Sequence, residues 1–135
     1  MTTEISPEDL VLTDDPIQQS DVFLRAFNTG DGAVFDTLYR EDAISNLSGG
    51  PLTGPERTKS IIELLGQKPR MKATYKRSYT AGDTMLVVAD YEIDAPSPDG
   101  GRVIMRGSCT DVMTRDKDGK WLVTIDRPVP AELSD

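Results

Sequence analysis

The hydrophobic positions of this chain change their period part-way along it. Up to about residue 66 they recur every three to four residues, and from residue 70 they alternate. Thr13-Asp-Asp-Pro16 starts a helix, with an N-cap candidate followed by proline near the first helical position. Ile17, Leu24 and Phe27, joined by Phe23 and Ala26, give that helix one apolar stripe, and Asn28-Thr-Gly30 ends it. Asp31 caps a short second helix whose Val34, Phe35, Leu38 and Tyr39 face the core. Residues 43–47 read as a brief strand. A loop over residues 48–54 follows, and Thr53-x-x-Glu56 around Pro55 opens a third helix. Ile61, Ile62, Leu64 and Leu65 form its apolar side, with Gly66 and Pro69 beyond its end.

The alternating half predicts four successive strands over residues 70–80, 84–95, 102–115 and 120–128, joined by hairpin turns rich in Gly, Asp and Pro. Helices early and an antiparallel meander late define an α+β fold, with three helices stacked on one face of the sheet. Met85, Val87, Ala89, Tyr91 and Ile93 belong to the helix side, as do Trp121, Val123 and Ile125. The opposite side mixes Leu86, Val88, Ile104, Val112 and Leu122 with Asp90, Glu92 and Arg106. A half-apolar outer face of that size predicts a homodimer packed through it.

One strand position departs from this pattern. Val103, Met105, Gly107, Cys109, Asp111 and Met113 share the helix side, so Asp111 is a lone carboxylate among apolar neighbours. A carboxylate there is costly to ionise and is protonated, paired or functional. Its structural reading is a buried acid bonded to backbone or to a neighbouring tyrosine or arginine. Its functional reading is a neutral acid that donates a hydrogen bond into a pocket. Arg77 is the nearest partner by parity. Tyr75, Tyr79 and Tyr91 either line such a pocket or fill the core, and Trp121 reads as core at the start of the last strand. Asp116-Lys-Asp-Gly119 lacks the later ligands of a calcium loop and reads as a hairpin turn.

Composition narrows the chemistry. A chain of 135 residues without internal repeats predicts one domain over residues 14–130, preceded by an acidic arm over residues 1–13. The net charge of −8 argues against nucleic acid and anionic membrane as partners. No apolar run reaches the ~18 residues of a membrane span. The first residues lack the pattern of a signal peptide and Cys109 is the lone cysteine, so a cytoplasmic protein is expected. With no histidine, nucleophilic triads, imidazole bases and His-ligated zinc are excluded. No phosphate-binding glycine motif is present, and neither a metal nor a cofactor is called for. Catalysis, if present, falls to carboxylates, tyrosines, lysines, arginines and backbone amides.

Four weak motifs in order carry a resemblance. Phe27-Asn-Thr-Gly-Asp31, Leu38-Tyr-Arg-Glu-Asp-Ala43, Leu52-Thr-Gly-Pro-Glu56, and Asp118-Gly-Lys-Trp121 followed by Asp126-Arg-Pro128 together resemble the nuclear transport factor 2-like superfamily. Within it, the pattern is most similar to ketosteroid-isomerase-like and SnoaL-like proteins, over about residues 14–128. The resemblance implies a cone-shaped α+β barrel, cystatin-like in architecture, with an apolar cavity and a dimer through the outer sheet face. In ketosteroid isomerase a neutral aspartic acid and a tyrosine hold an oxyanion while another aspartate is the base. Carried over, the aspartic acid falls on Asp111, the tyrosine on Phe23 and the base near Leu47, with Asn46 adjacent. Two of those three positions have changed chemistry, so steroid isomerisation itself is not expected. The limonene epoxide hydrolase relatives use an Asp-Arg-Asp cluster on facing strands, for which this sequence offers Asp111 and Arg77.

The expectation is a domain that binds a small hydrophobic ligand around Asp111, acting as an isomerase, dehydratase, cyclase or hydrolase by acid–base chemistry. A non-catalytic ligand-binding or dimeric association module is the alternative. Asp111 is the catalytic candidate. From the first two-thirds of the chain, Phe23, Phe27, Tyr39, Asn46, Tyr75 and Arg77 are expected around the pocket. From the later strands, Tyr91, Met105, Cys109, Met113 and Trp121 join them.

Overall fold

In the computed structural model, which describes residues 11–47 and 50–130, helix α1 (Pro16–Asn28) begins where Asp15 accepts from the Ile17 backbone N–H at 2.9 Å. Asp31 caps α2 (Gly32–Asp36) through the N–H groups of Ala33 and Val34 at 3.0 and 3.3 Å. Helix α3 (Gly54–Gly66) starts at the expected Thr53, although that residue makes no side-chain cap bond. There Pro55 occupies the first turn and leaves one donor fewer to satisfy. Strand β1 (Tyr39–Ser45) begins four residues before the expected one, so Tyr39 is a strand residue rather than the end of α2. The meander follows as β2 (Arg70–Ala81), β3 (Thr84–Pro96), β4 (Arg102–Arg115) and β5 (Trp121–Pro130).

The sheet order is β1-β5-β4-β3-β2, with β1 parallel to β5 and every other pair antiparallel. Three helices pack against the inner face of this five-stranded curved sheet. Phe27 and Phe35 sit at the centre of the core with no exposure, and Phe35 meets the rings of Phe23, Phe27 and Tyr39 edge-on at 4.7–5.6 Å. The expected helical stripes are each rotated. On α1 the buried positions are Gln19, Val22, Phe23, Ala26 and Phe27, while Ile17 is 62% exposed. On α3 the buried positions are Arg57, Ile61 and Leu65, and Ile62 faces out.

Two β-bulges decide which side chains face the helices. Between Tyr75 and Arg77 the β2 register slips, so Tyr75 pairs with Ala89 while Arg77 pairs with Val88. Every residue beyond the bulge changes face. Arg77 is therefore exposed on the outer side and cannot serve Asp111, and Tyr79 is 64% exposed instead of lining a pocket. The second slip lies on β5, where Val123 pairs with Met113 but Ile125 pairs with Val112. Thr124 is the extra residue. Ile125 turns outward, against expectation, and Asp126 turns inward.

Residues 1–10 of the expected acidic arm lie outside the described residues. Its last residues are tied down: Leu12 joins the core, and Thr13 donates its N–H to Gln18 Oε1 at 3.0 Å. Among the described residues, no helix is long and apolar enough to cross a membrane.

Candidate functional site

Between α1 and the inner face of β2–β5 lies a cleft with a volume of about 40 Å³. At ~10–15 Å³ per water, that is room for about three water molecules or a ligand of similar bulk. Phe23, Leu47, Met71, Val87, Ile93 and Met113 supply most of its wall, with Ala73, Ala89, Tyr91, Cys109 and Pro128. Into this carbon-lined space come Gln19, Ser20, Asp111 and Asp126.

The two aspartates are cross-strand partners, Asp111 on β4 directly opposite Asp126 on β5. Side chains so paired on one face stand ~5 Å apart at Cβ. Their surroundings differ. Asp126, 1% exposed, accepts from Ser45 Oγ at 2.8 Å, from the Asn46 backbone N–H at 2.7 Å and from the Tyr39 hydroxyl. Burial pushes its carboxyl above the usual range, while these donors and the Arg57 charge pull it back. Among the described residues Asp111 has one side-chain donor, the Cys109 thiol, at 3.0 Å. Burial first, and the Asp126 charge second, push Asp111 from 3.8 up to about 7, opposed by Cys109 and the Arg127 backbone N–H. Of the two carboxyls, Asp111 has the fewer donors to stabilise its charge and is the one that favours keeping a proton.

A further layer holds Asp126 in place. Arg57 is buried, bonds Asp36 at 3.2 Å, and gives its Nη1 to the carbonyls of Arg40, Glu41 and Ala43 at 3.0–3.2 Å. Its guanidinium lies 5.4 Å from the Tyr39 ring centre. Burial, then the Asp126 charge, raise the Tyr39 hydroxyl well above its ordinary value, so it stays protonated and donates. Burial and the Asp111 charge likewise push the Cys109 thiol up, leaving it a neutral S–H donor rather than a thiolate nucleophile.

The sequence-predicted residues divide accordingly. Phe23, Tyr91, Cys109, Asp111 and Met113 line the cleft. Tyr39 and Asn46 stand behind it as donors to Asp126, Asn46 adding a bond from Nδ2 to the Asp126 carbonyl at 2.8 Å. Phe27 is core beneath the cleft, not wall. Tyr75 packs at the core's edge with its hydroxyl bonded to Ser78 at 2.9 Å. Trp121 is buried away from the cleft, beside Leu12 and Leu38. Met105 is 38% exposed, because β4 runs on past the last residue of β5, Pro130, which pairs with Gly107. Arg77 is removed by the β2 bulge.

Asp126, Gln19 and Arg57 are the polar residues that periodicity missed. Strict alternation put Asp126 on the wrong face, although Pro128 two residues later warned that this strand is not a regular ladder. Gln19 falls in register with Val22, Phe23, Ala26 and Phe27 at helical spacing, and Arg57 stands four residues before Ile61, so both lie on apolar stripes.

A sheet curved around three helices, with a carbon-lined cleft holding paired acids, narrows the family. The model of the SnoaL-like domain matches residues 21–124. The chain belongs to the SnoaL-like domain family. Solved structures agree on the fold of this SnoaL-like domain, which is that of the nuclear transport factor 2-like superfamily. A protein with a cystatin-like fold from Caulobacter vibrioides superposes with a TM-score of 0.72 at 17% identity, covering 87% of this chain and 88% of its own. A nuclear transport factor 2-like family protein from Streptomyces avermitilis gives 0.68 at 20% identity, covering 89% and 99%. A ketosteroid isomerase-like protein from Erwinia carotovora atroseptica gives 0.68 at 15% identity, covering 83% and 90%. No curated protein matches the chain. In this SnoaL-like domain Phe23 and Leu47 both line the cleft with carbon side chains.

Proposed function

We propose that the protein is an acid–base enzyme acting on a small apolar ligand that carries a carbonyl or epoxide oxygen. The observation that carries this reading is the pairing of Asp111 with Asp126 on the wall of an apolar cleft. Asp111 favours its proton while Asp126 has three donors for its charge, a difference that supplies an acid and a base side by side. Asp111 gives its proton to the ligand oxygen. Asp126 takes one from water, or from the carbon next to the carbonyl, and the next turnover starts once the proton has returned to Asp111. Hydration, dehydration and isomerisation all fit this exchange. It needs neither the tyrosine nor the separate base that Phe23 and Leu47 have replaced.

A panel of small ketones, enones and epoxides, followed by NMR of the reaction mixture, tests the reading. For any compound converted, Asp111→Asn is expected to lower turnover by ~10²–10⁴-fold. Turnover that survives that substitution unchanged would falsify the catalytic role.

The outer sheet face supports the dimer expected from sequence. Ile44, Ile125, Val112, Leu86 and Tyr79 lie in consecutive register across all five strands and make one apolar row. Ile44, Ile125 and Tyr79 are exposed in the single chain. A second copy packed on this row would cover them without touching the cleft on the other face.

A further inference from the structure

Neighbouring glutamines on α1 grip the segment that precedes the helix, and they do so unequally. Gln18 is complete: its Nε2 donates to the Val11 carbonyl at 2.8 Å, and its Oε1 accepts from the Thr13 N–H and hydroxyl at 3.0 and 2.9 Å. Gln19 donates its Nε2 to the Thr13 carbonyl. A carbonyl only accepts, so this bond fixes which way the amide lies. The Gln19 Oε1 is left over. Among the described residues it is the buried side-chain polar atom with no partner, on a residue with no exposure that lines the same cleft as Asp111.

A buried acceptor without a donor is costly, and a helix face otherwise made of Val22, Phe23, Ala26 and Phe27 would be better packed by leucine or methionine. An orphan acceptor on a residue that lines a ligand-sized cleft is explained if the ligand supplies the donor. We infer that the ligand of this cleft carries a hydroxyl group that donates to Gln19 Oε1, besides the oxygen that meets Asp111. The substrate class is then a small hydroxylated carbonyl compound or epoxide, not a plain ketone, epoxide or hydrocarbon. This rests on the acid–base reading of Asp111 and narrows it. Gln19 becomes a specificity-determining residue: it selects for the hydroxyl and does not touch the reacting bond.

Titrations of the whole protein followed by amide and side-chain NMR separate the two readings. The probes are 3-hydroxybutan-2-one and 4-hydroxybutan-2-one, which differ in the spacing of hydroxyl and carbonyl, with butan-2-one and the matching fluoro-ketones as controls. Fluorine resembles a hydroxyl in size but does not donate. At least one hydroxyketone is expected to bind about five- to tenfold more tightly than its fluoro analogue and than butan-2-one. In Gln19→Met that preference disappears, so that the hydroxyketone and its fluoro analogue bind alike, while a dispersed amide spectrum reports that the variant is folded. Equal binding of hydroxy and fluoro probes by the unmodified protein overturns the inference, whatever the variant does. So does a preference that persists in Gln19→Met. Either result leaves the acid–base reading standing if butan-2-one shifts the cleft residues. If no probe perturbs them, both readings fail.

Discussion

Asp111 and Asp126 occupy facing positions on adjacent strands, both inside the apolar half of the molecule, and the fold treats them differently. Asp126 receives a hydroxyl from β1, a second hydroxyl from its end and a backbone N–H just beyond it, with the Arg57 charge behind Tyr39. Asp111 receives a thiol, the weakest donor of the set. Burial acts on both, so the donors decide which carboxyl keeps the proton. The difference also separates two kinds of importance. Asp126 ties β5 to both ends of β1, whereas Asp111, on the cleft wall, meets a thiol and a backbone N–H.

The largest expected effect follows from Asp126. Asp126→Ala strands the Tyr39 hydroxyl, Ser45 Oγ and Asn46 N–H in the interior and removes the carboxylate that the Arg57 charge favours. Breaking buried networks of this kind costs about 3–5 kcal/mol. Urea unfolding should show that loss at pH 7. A cost below about 1 kcal/mol would mean that water replaces the carboxylate freely and that the two acids are not distinguished by their surroundings.

Asp111 should behave in the opposite sense. Below about pH 4 it is protonated in folded and unfolded chains alike. Between its unfolded value of 3.8 and its folded value of about 7, the unfolded chain releases the proton and the folded chain keeps it. Stability therefore falls as pH rises through that window and levels off above it. The Asp111 share of this fall is about 4 kcal/mol, at ~1.4 kcal/mol per pKa unit. Asp111→Asn keeps the acceptor for Cys109 and carries no charge, so it should be more stable than the unmodified protein at pH 8 and equal to it near pH 4. Unfolding curves at a series of pH values read this directly. Parallel pH profiles for the two proteins would show that Asp111 carries its charge at no unusual cost.

The same pair marks where sequence reasoning succeeded and where it stopped. Asp111 was legible because β4 alternates without interruption from Gly107 to Met113, so counting by two from Cys109 and Met113 finds the right face. Asp126 was not, because a single inserted residue at Thr124 reverses the count, just as Lys76 does for Arg77 and Tyr79 on β2. Bulges cost one residue and little composition, so hydrophobic periodicity does not announce them. The helices show a related limit. Their positions and ends were legible from Asp15, Asp31 and the prolines, but the buried stripe was set too far toward Ile17 and Ile62. Gln19 and Arg57 lie on it, and a rule that seeks apolar residues passes over polar ones on the buried face. The three-helix, curved-sheet architecture survived these errors because it depends on the change of period and on hairpin order. The site depends on single faces.

The smallest expected effect isolates the side-chain donor to Asp111. Cys109→Ala removes the thiol and leaves the Arg127 N–H as the remaining group that favours the ionised form. The methyl group fills less of the cleft, and a lost S–H bond is weak, so stability should change by about 1 kcal/mol or less. The proton, however, should be held more firmly. With Asp126 and its donors untouched, the Asp111 carboxyl carbon signal in a ¹³C NMR titration should move its midpoint to higher pH. The falling limb of the stability profile should extend in the same direction. The Asp126 signal should keep its own midpoint, since Tyr39, Ser45 and Asn46 still donate to it. Should both signals move together, the proton is shared across the pair and the donors do not assign it. An Asp111 midpoint that moves down would instead show that the thiol hydrogen points elsewhere and that its sulfur lone pairs were what Asp111 met.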